Sequence, residues 1–393
     1  SIATIPIPVF RIIIQRIYEE RKPLMVEQLY HNPDIYRIYV PLPDNPLKYL
    51  NCYVLISDGE TLIIDTGFNR PECKQALFDG LDELQVDFAH TKLFLTHLHG
   101  DHSGLTEELT ARGVPVFMNA IDYDYLCQEL ASGGWQAMEQ IFLNEGFPME
   151  EIEKQKKGNQ ARLYSPHHPF PASKVSDNDL LTVGGITLRC IHTPGHTPGH
   201  TCLYIEDKEI LFSGDHILFD ITPNISVWRN IPYSLADYLE SLQKIKGLKV
   251  SHTFPGHREF HGDIHDRINA LALHHHARLK EILDAIDHHP DCTAYETAGR
   301  ISWSSRGRAW SDFSPNQKWF AMGETLAHIK WLSDKGAIIS TRPLSLNMPN
   351  IPNAPAKETA ENRYQALCHS SDLFFYSRRF SDDDFCEHVT HYA

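Results

Sequence analysis

The sequence predicts an α/β protein with a mainly helical C-terminal part, and three observations lead there. Short apolar strands recur between amphipathic helices from residue 35 to residue 262. Four of those strands end on histidine or aspartate beside small-residue loops. After Asp263 the pattern turns helical, with Ile268, Leu271, Leu279, Ile282, Leu283 and Ile286 near helical spacing.

Residues 1–34 read as an N-terminal arm. Ile2–Ile14 is apolar but holds Pro6, Pro8 and Arg11 and has no basic leader, so it is read as a strand or arm rather than a signal peptide. Tyr18–Tyr30 has weak helical character. Ile35–Val40 alternates like a half-exposed strand. Two apolar strands, 51–56 and 61–65, meet at Asp58-Gly59, a hairpin dipeptide. Residues 71–86 form an amphipathic helix, 91–95 a short buried strand, 105–112 a helix and 114–118 another strand. Residues 119–157 make a mostly helical insert, in which Asp122, Tyr123, Asp124 and Tyr125 are read as a solvated helix face in preference to the border of a pocket. Residues 159–185 are strand and turn, with Gly184-Gly185 closing a hairpin. Strands over 186–192, 202–205, 209–213 and 250–254 follow.

Composition excludes several classes. The net charge of −15 argues against broad, sequence-independent nucleic-acid binding. No stretch is long and apolar enough to suggest a membrane span. The eight cysteines are scattered and include no CxxC pair, so neither a disulfide framework nor a cysteine-type zinc site is expected, and a cytoplasmic location is the default.

The chemistry lies at the strand ends. Thr96-His97-Leu98-His99-Gly100-Asp101-His102 puts three imidazoles and a carboxylate within six residues, after the apolar run Leu93–Leu95. Histidine is common here, 24 of 393 residues, so an isolated pair means little. A cluster of three with an aspartate at a strand end does not arise so easily. Thr193-Pro194-Gly195-His196, Ser213-Gly214-Asp215-His216 and Phe254-Pro255-Gly256-His257 repeat the placement. Imidazole and carboxylate are first-choice ligands for zinc, and iron or manganese also accept them. His97, His99, Asp101, His102, His196, Asp215 and His257 are too many for one tetrahedral ion. They suit two divalent ions sharing a ligand, and Asp215, with two carboxylate oxygens, is the natural sharer. Water between two such ions ionises near neutrality, so metal-assisted hydrolysis by a bridging hydroxide is expected. Asp65, at a strand end before Gly67, reads equally as a turn or as support for nearby ligands.

These motifs, in this order, resemble the metallo-β-lactamase-fold hydrolase superfamily over residues 35–260, with Asp65-Thr66-Gly67 matching its first motif. The resemblance implies an αββα sandwich of two mixed β-sheets flanked by helices. It implies that His97, His99 and His196 hold one ion and Asp101, His102 and His257 the other. Asp215 would bridge the two and Asp65 would orient ligands. His216 is a candidate pocket residue, and His192, His200 and His252 are structural. The hydroxyacylglutathione-hydrolase-like branch shares the motifs. Leu218 stands where the superfamily's lactonases carry tyrosine, and the absence of a site cysteine argues against a β-lactam substrate.

The chain is divided into an arm (1–34), a catalytic domain (35–262), a helical domain (263–342) and a tail (343–393). Helices over 264–287, 293–302 and 319–335 with a small strand pair resemble a winged-helix-like appendage found in one branch of the superfamily. His274-His275-His276 is read as packing or solvated, and Phe374-Phe375-Tyr376 as an arm for homodimer contact. The expected activity is hydrolysis of a small-molecule acyl substrate, a thioester or else a lactone. The alternative is a phosphodiesterase or endoribonuclease, motivated by the appendage and by Arg306 and Arg308.

Overall fold

The structure, a computed structural model, describes residues 26–132, 134–231, 233–304 and 307–340 and the backbone of 376–378. Seven strands form the first sheet in chain order: β1 (Val26–Tyr30), β2 (Asp34–Pro41), β3 (Tyr49–Ser57), β4 (Glu60–Ile64), β5 (Thr91–Leu95), β6 (Val116–Asn119) and β7 (Ser173–Val175). The first four pair antiparallel, and β4 to β7 pair parallel. The second sheet holds β8 (Leu180–Val183), β9 (Ile186–His192), β10 (Thr201–Ile205), β11 (Ile210–Gly214) and β12 (His252–Pro255), in the order β12-β11-β10-β9-β8. Only β11 and β12 pair parallel there. The helices are α1 (Pro71–Glu83), α2 (Gly100–Ser103), α3 (Thr106–Thr110), α4 (Ala120–Ser132), α5 (Gly134–Asn144), α6 (Met149–Gly158), α7 (Gln160–Leu163), α8 (Ser234–Lys246), α9 (Ile264–His288), α10 (Ala294–Ala298) and α11 (Pro315–Asp334).

The strands read as continuous apolar runs because both faces of each sheet are covered. Tyr53, Leu55, Leu62, Ile64 and Phe94 point from the first sheet into a core shared with Leu188, Leu203, Ile205 and Phe212 of the second. The alternate residues Cys52, Val54, Ile63, Leu93 and Leu95 face outward, onto Leu77 and Leu81 of α1 and Leu109 of α3. On the far side, Ile191, Cys202, Tyr204 and Leu211 meet α8, α9 and α11. Helices therefore flank two mixed sheets packed face to face, the αββα arrangement that the motifs implied.

Local chemistry sets the boundaries. Asp58 and Gly59 turn with φ of 45° and 78°, the left-handed pair that joins β3 to β4 with Ser57 opposite Glu60. Asp263 caps α9 by accepting from the His265 and Asp266 amides. A Ser314–Gln317 capping box starts α11 four residues before the expected Trp319. Val26–Tyr30, read as weakly helical, is instead a strand, since pairing with β2 outweighs local propensity. Ile338–Ser340 (β13) pairs with the backbone of Tyr376–Arg378 (β14).

The apolar cluster under the second sheet runs without a break from β9–β11 through α8 into α9 and α11, and also takes in Phe142 and Ile152 of the insert. No helix among the described residues is long and apolar enough to cross a membrane. Residues 1–25, Arg306 and the aromatic pair 374–375 lie outside the described residues.

Candidate metal centre

Pairing directions bring the strand ends together. β4 and β5 run parallel, as do β11 and β12, and β9 runs in the same sense as β11. Their C-terminal ends therefore open on one edge of the sandwich. The Thr201 amide donates to the Thr96 carbonyl at 2.9 Å and ties the two sheets together there.

All seven candidate ligands converge. His97, His99 and His196 present donor atoms within 4.8 Å of one another, as do His97, His102 and Asp215, and Asp101, His102 and His257. His102 Nε2 lies 3.2 Å from His257 Nε2, and His97 Nε2 lies 3.0 Å from His99 Nδ1. Asp215 Oδ2 is 3.6 Å from His196 Nε2 and 3.5 Å from His257 Nε2, while its Oδ1 is 3.5 Å from His102 Nε2. Asp101 Oδ2 is 3.3 Å from His257 Nε2.

Hydrogen-bond chemistry assigns the protons. His196 Nδ1 meets the Asn224 carbonyl at 2.8 Å and His257 Nδ1 the Tyr49 carbonyl at 2.9 Å, so both nitrogens donate. His102 Nδ1 donates to Asp65 Oδ2 at 2.8 Å. The Thr96 hydroxyl also donates to Asp65, so it accepts from His97 Nδ1 at 3.0 Å. With Nδ1 protonated in all four rings, Nε2 of each turns inward, as a lone pair wherever the ring is neutral. Burial opposes a second proton, but the carboxylates of Asp215, Asp65 and Asp101 favour one on His102, and those of Asp215 and Asp101 favour one on His257. In the neutral rings, lone pairs then face one another and the carboxylates. His196 Nε2 and Asp215 Oδ1 are buried without a hydrogen-bond partner. A donor set of this kind fits divalent cations and is costly without them.

Burial and neighbouring charge act on these groups in opposite directions. Burial, reinforced by the surrounding imidazoles, drives His97 well below its usual value, and burial takes His99 to about 3. Burial would raise the Asp101 carboxyl, but His102 and His257 hold it at about 2. Burial likewise opposes ionisation of Asp215, yet His257 and His102 carry it well below the carboxylate range.

The supporting residues explain the motifs. Asp65, at φ 63°, aims its carboxylate back at β5, where it accepts from the Thr96 amide and hydroxyl, both at 2.8 Å, and from His102. The Thr66 amide and hydroxyl both donate to the His102 carbonyl at 2.8 Å. Gly256 leaves room for the Asp215 carboxylate, since a Cβ there would lie 2.5 Å from its Oδ1. His200 donates through Nδ1 to Thr193 Oγ1 and accepts the Asp215 amide at Nε2 (3.1 Å), so it backs Asp215. His216 is fully buried, 6.0 Å from the His200 ring and 5.2 Å from Tyr238. His192 meets the Pro198 carbonyl and His252 packs on Tyr30.

Asp122 corrects one expectation. It is fully buried, not solvated, and Tyr125 beside it is buried too. Its carboxylate accepts from the Leu98 amide at 3.0 Å, the Gly199 amide at 2.5 Å and the Thr197 hydroxyl at 2.6 Å. It thus clamps the His97–His99 loop to the His196 loop. The signal was available: Asp122 follows β6, whose neighbour β5 carries the histidine cluster. Trp228, also unanticipated, lies with its ring 5.8 Å from His99 and 5.4 Å from Tyr125, an aromatic wall beside the centre.

Comparison with known proteins places this geometry. A family model for the metallo-beta-lactamase superfamily matches residues 46–257, over half of the chain. A metallo-beta-lactamase family protein from Thermus thermophilus is 28% identical, with a TM-score of 0.70 over 88% of this chain and 98% of that one. A beta-lactamase-like protein 2 homolog of Caenorhabditis elegans is 25% identical over 65% of this chain and 71% of its own length. An atrochrysone carboxyl ACP thioesterase of Cryptosporiopsis is 26% identical over 67% of this chain and 65% of its own length. The matched segment runs from the loop before β3 to His257, the last of the converging imidazoles, and on that footing the chain belongs to the metallo-beta-lactamase superfamily.

Proposed function

We propose that this protein is a hydrolase with a two-ion centre that cleaves an ester-like acyl bond, a thioester in the first place and a lactone in the second. The observation that carries the reading is the set of four Nδ1-anchored imidazoles turning Nε2 inward, those of His102, His196 and His257 toward two buried carboxylates and that of His97 toward His99. His97, His99 and His196 would hold one ion, Asp101, His102 and His257 the other, with Asp215 shared. Divalent ions bound there, zinc first and iron or manganese as alternatives, would supply the Lewis acidity for activating water near pH 7 and polarising the carbonyl.

The chain's own residues do the rest. Asp101, ionised at neutral pH, accepts and orients a proton of the attacking water. Asp65 and Asp122 keep the imidazole loops in place. Trp228 and Tyr125 offer an apolar wall to the acyl group and restrict water on that side. His216, behind His200, would lend bulk to the site's inner wall. The thioester preference draws support from the relatives named as thioesterases at about a quarter identity.

Thiol release from a panel of acyl thioesters by the zinc- or manganese-loaded protein tests this. Metal-dependent release is expected, falling at least about 100-fold in Asp101→Ala if that carboxylate handles the proton. Asp215→Ala should retain at most one ion. Two ions and full hydrolysis in Asp215→Ala would overturn the sharing role, and no thiol release from any member of the panel would overturn the thioester reading.

A further inference from the structure

The loop between β11 and α8 is held from two sides. On the inner side, Asn224 offers its carbonyl to His196 Nδ1 at 2.8 Å, and Trp228 Nε1 donates to the His196 carbonyl at 3.2 Å. On the outer side, the same loop rests on the C-terminal helices. Arg267 of α9 donates to the carbonyls of Leu218 at 2.6 Å and Ile221 at 2.7 Å. The Asn224 side-chain amide donates to the Phe320 carbonyl at 3.2 Å and to Glu324 Oε2 at 3.3 Å, both on α11. Ser226 fills the space beside Gly323, where a Cβ would lie 2.1 Å from its hydroxyl.

Glu324 is itself fixed. It is buried, and its Oε1 takes the Arg278 Nε–H at 3.2 Å, with His274 at 3.9 Å. Burial would raise its carboxyl, but His274, His328 and Arg278 bring it down to about 2, so it meets the Asn224 amide as a charged acceptor. Backbone carbonyl and side-chain amide belong to one residue, so anchoring the amide restricts where the carbonyl points.

We propose that Glu324 is a positioning residue for His196: through the Asn224 amide it sets the carbonyl that orients the imidazole, and so the C-terminal helices help set the geometry of the metal centre. This rests on the reading of His196 as a ligand. Partners of ligating histidines fix tautomer and ring angle, and their loss commonly lowers metal affinity about 10- to 100-fold.

The test is zinc affinity of the full-length, metal-free protein, measured by competition with a chromophoric chelator. Asn224→Ala keeps the Glu324–Arg278 pair and should weaken one of the two ions by about tenfold or more, with the melting temperature of the metal-free protein little changed. Glu324→Gln keeps an acceptor for the amide and should stay within about threefold of wild type. Glu324→Ala also strands Arg278 and lowers stability, so its weight lies in the double variant. If Glu324 acts through Asn224, Asn224→Ala/Glu324→Ala binds zinc no more weakly than the weaker single variant. Wild-type affinity in Asn224→Ala, or losses that multiply in the double variant, would overturn the proposal while leaving the metal centre standing. A wild-type protein that takes up no zinc would instead overturn the ligand reading on which both rest.

Discussion

Four imidazoles of the centre point the same nitrogen outward, and each finds a different oxygen: a hydroxyl, a carboxylate and two backbone carbonyls. Tautomer is thus set by the fold and not by the ion. Asp122 works one layer further out and couples the loops that carry His97, His99 and His196. Removing it leaves two buried amides and a hydroxyl unsatisfied, so Asp122→Ala should cost about 3 kcal/mol of stability, measurable by urea denaturation of the metal-free protein. Burial pushes its carboxyl up from 3.8 to about 6, against the three donors that lower it. A folded pKa above the unfolded one stabilises fully below the unfolded value, and that contribution is lost as pH rises through the folded value. The advantage of wild type over Asp122→Asn should therefore shrink between pH 3.8 and about 6. A gap constant across that window would exclude this carboxyl as the titrating group.

At the scale of elements, the strand ends were the legible part. β5, β9, β11 and β12 announce themselves as apolar runs closing on His or Asp, and parallel pairing then puts those ends on one edge. Val26–Tyr30 was not legible, because an edge strand owes its form to its partner β2 and not to its own pattern. Asp122 was missed because helix periodicity does not reveal which neighbour covers its face. The glycines of the motifs carry a steric meaning that sequence can only suggest. Gly256 has no left-handed backbone, so alanine is allowed by conformation, and what forbids it is the 2.5 Å approach to Asp215 and the 3.0 Å approach to His102. Gly256→Ala should displace Asp215 and reduce zinc affinity at least about tenfold, while costing only about 1–3 kcal/mol as an overpacked site. Wild-type affinity in this variant, measured by chelator competition, would mean that the carboxylate has room the close approach denies it.

At the scale of the whole molecule, the converging candidate ligands come from both sheets. His97, His99, Asp101 and His102 follow β5 of the first, while His196, Asp215 and His257 follow β9, β11 and β12 of the second. The helical change after Asp263 was legible, but the docking of α9 and α11 onto the second sheet was not, since an amphipathic face does not name its partner. An ion held across the sheets binds the folded chain and not the unfolded one, so it must stabilise the whole sandwich. At a free concentration 100 times its Kd, one ion adds about 2.7 kcal/mol. For a chain of this size that raises Tm by roughly 3–4 °C, at about 1–1.5 °C per kcal/mol from an unfolding entropy of about 2.1 cal/mol/K per residue. Chelation should lower Tm accordingly and zinc should restore it. Lower pH should diminish the effect, because ligating imidazoles must be neutral and protons then compete for the same lone pairs. Asp215→Ala, deprived of the carboxylate that faces both halves, should respond to chelator much less than wild type. An equal response in calorimetric scans would place the stabilising ion away from the strand ends, and an unchanged wild-type Tm on chelation would mean that the two sheets hold together without it.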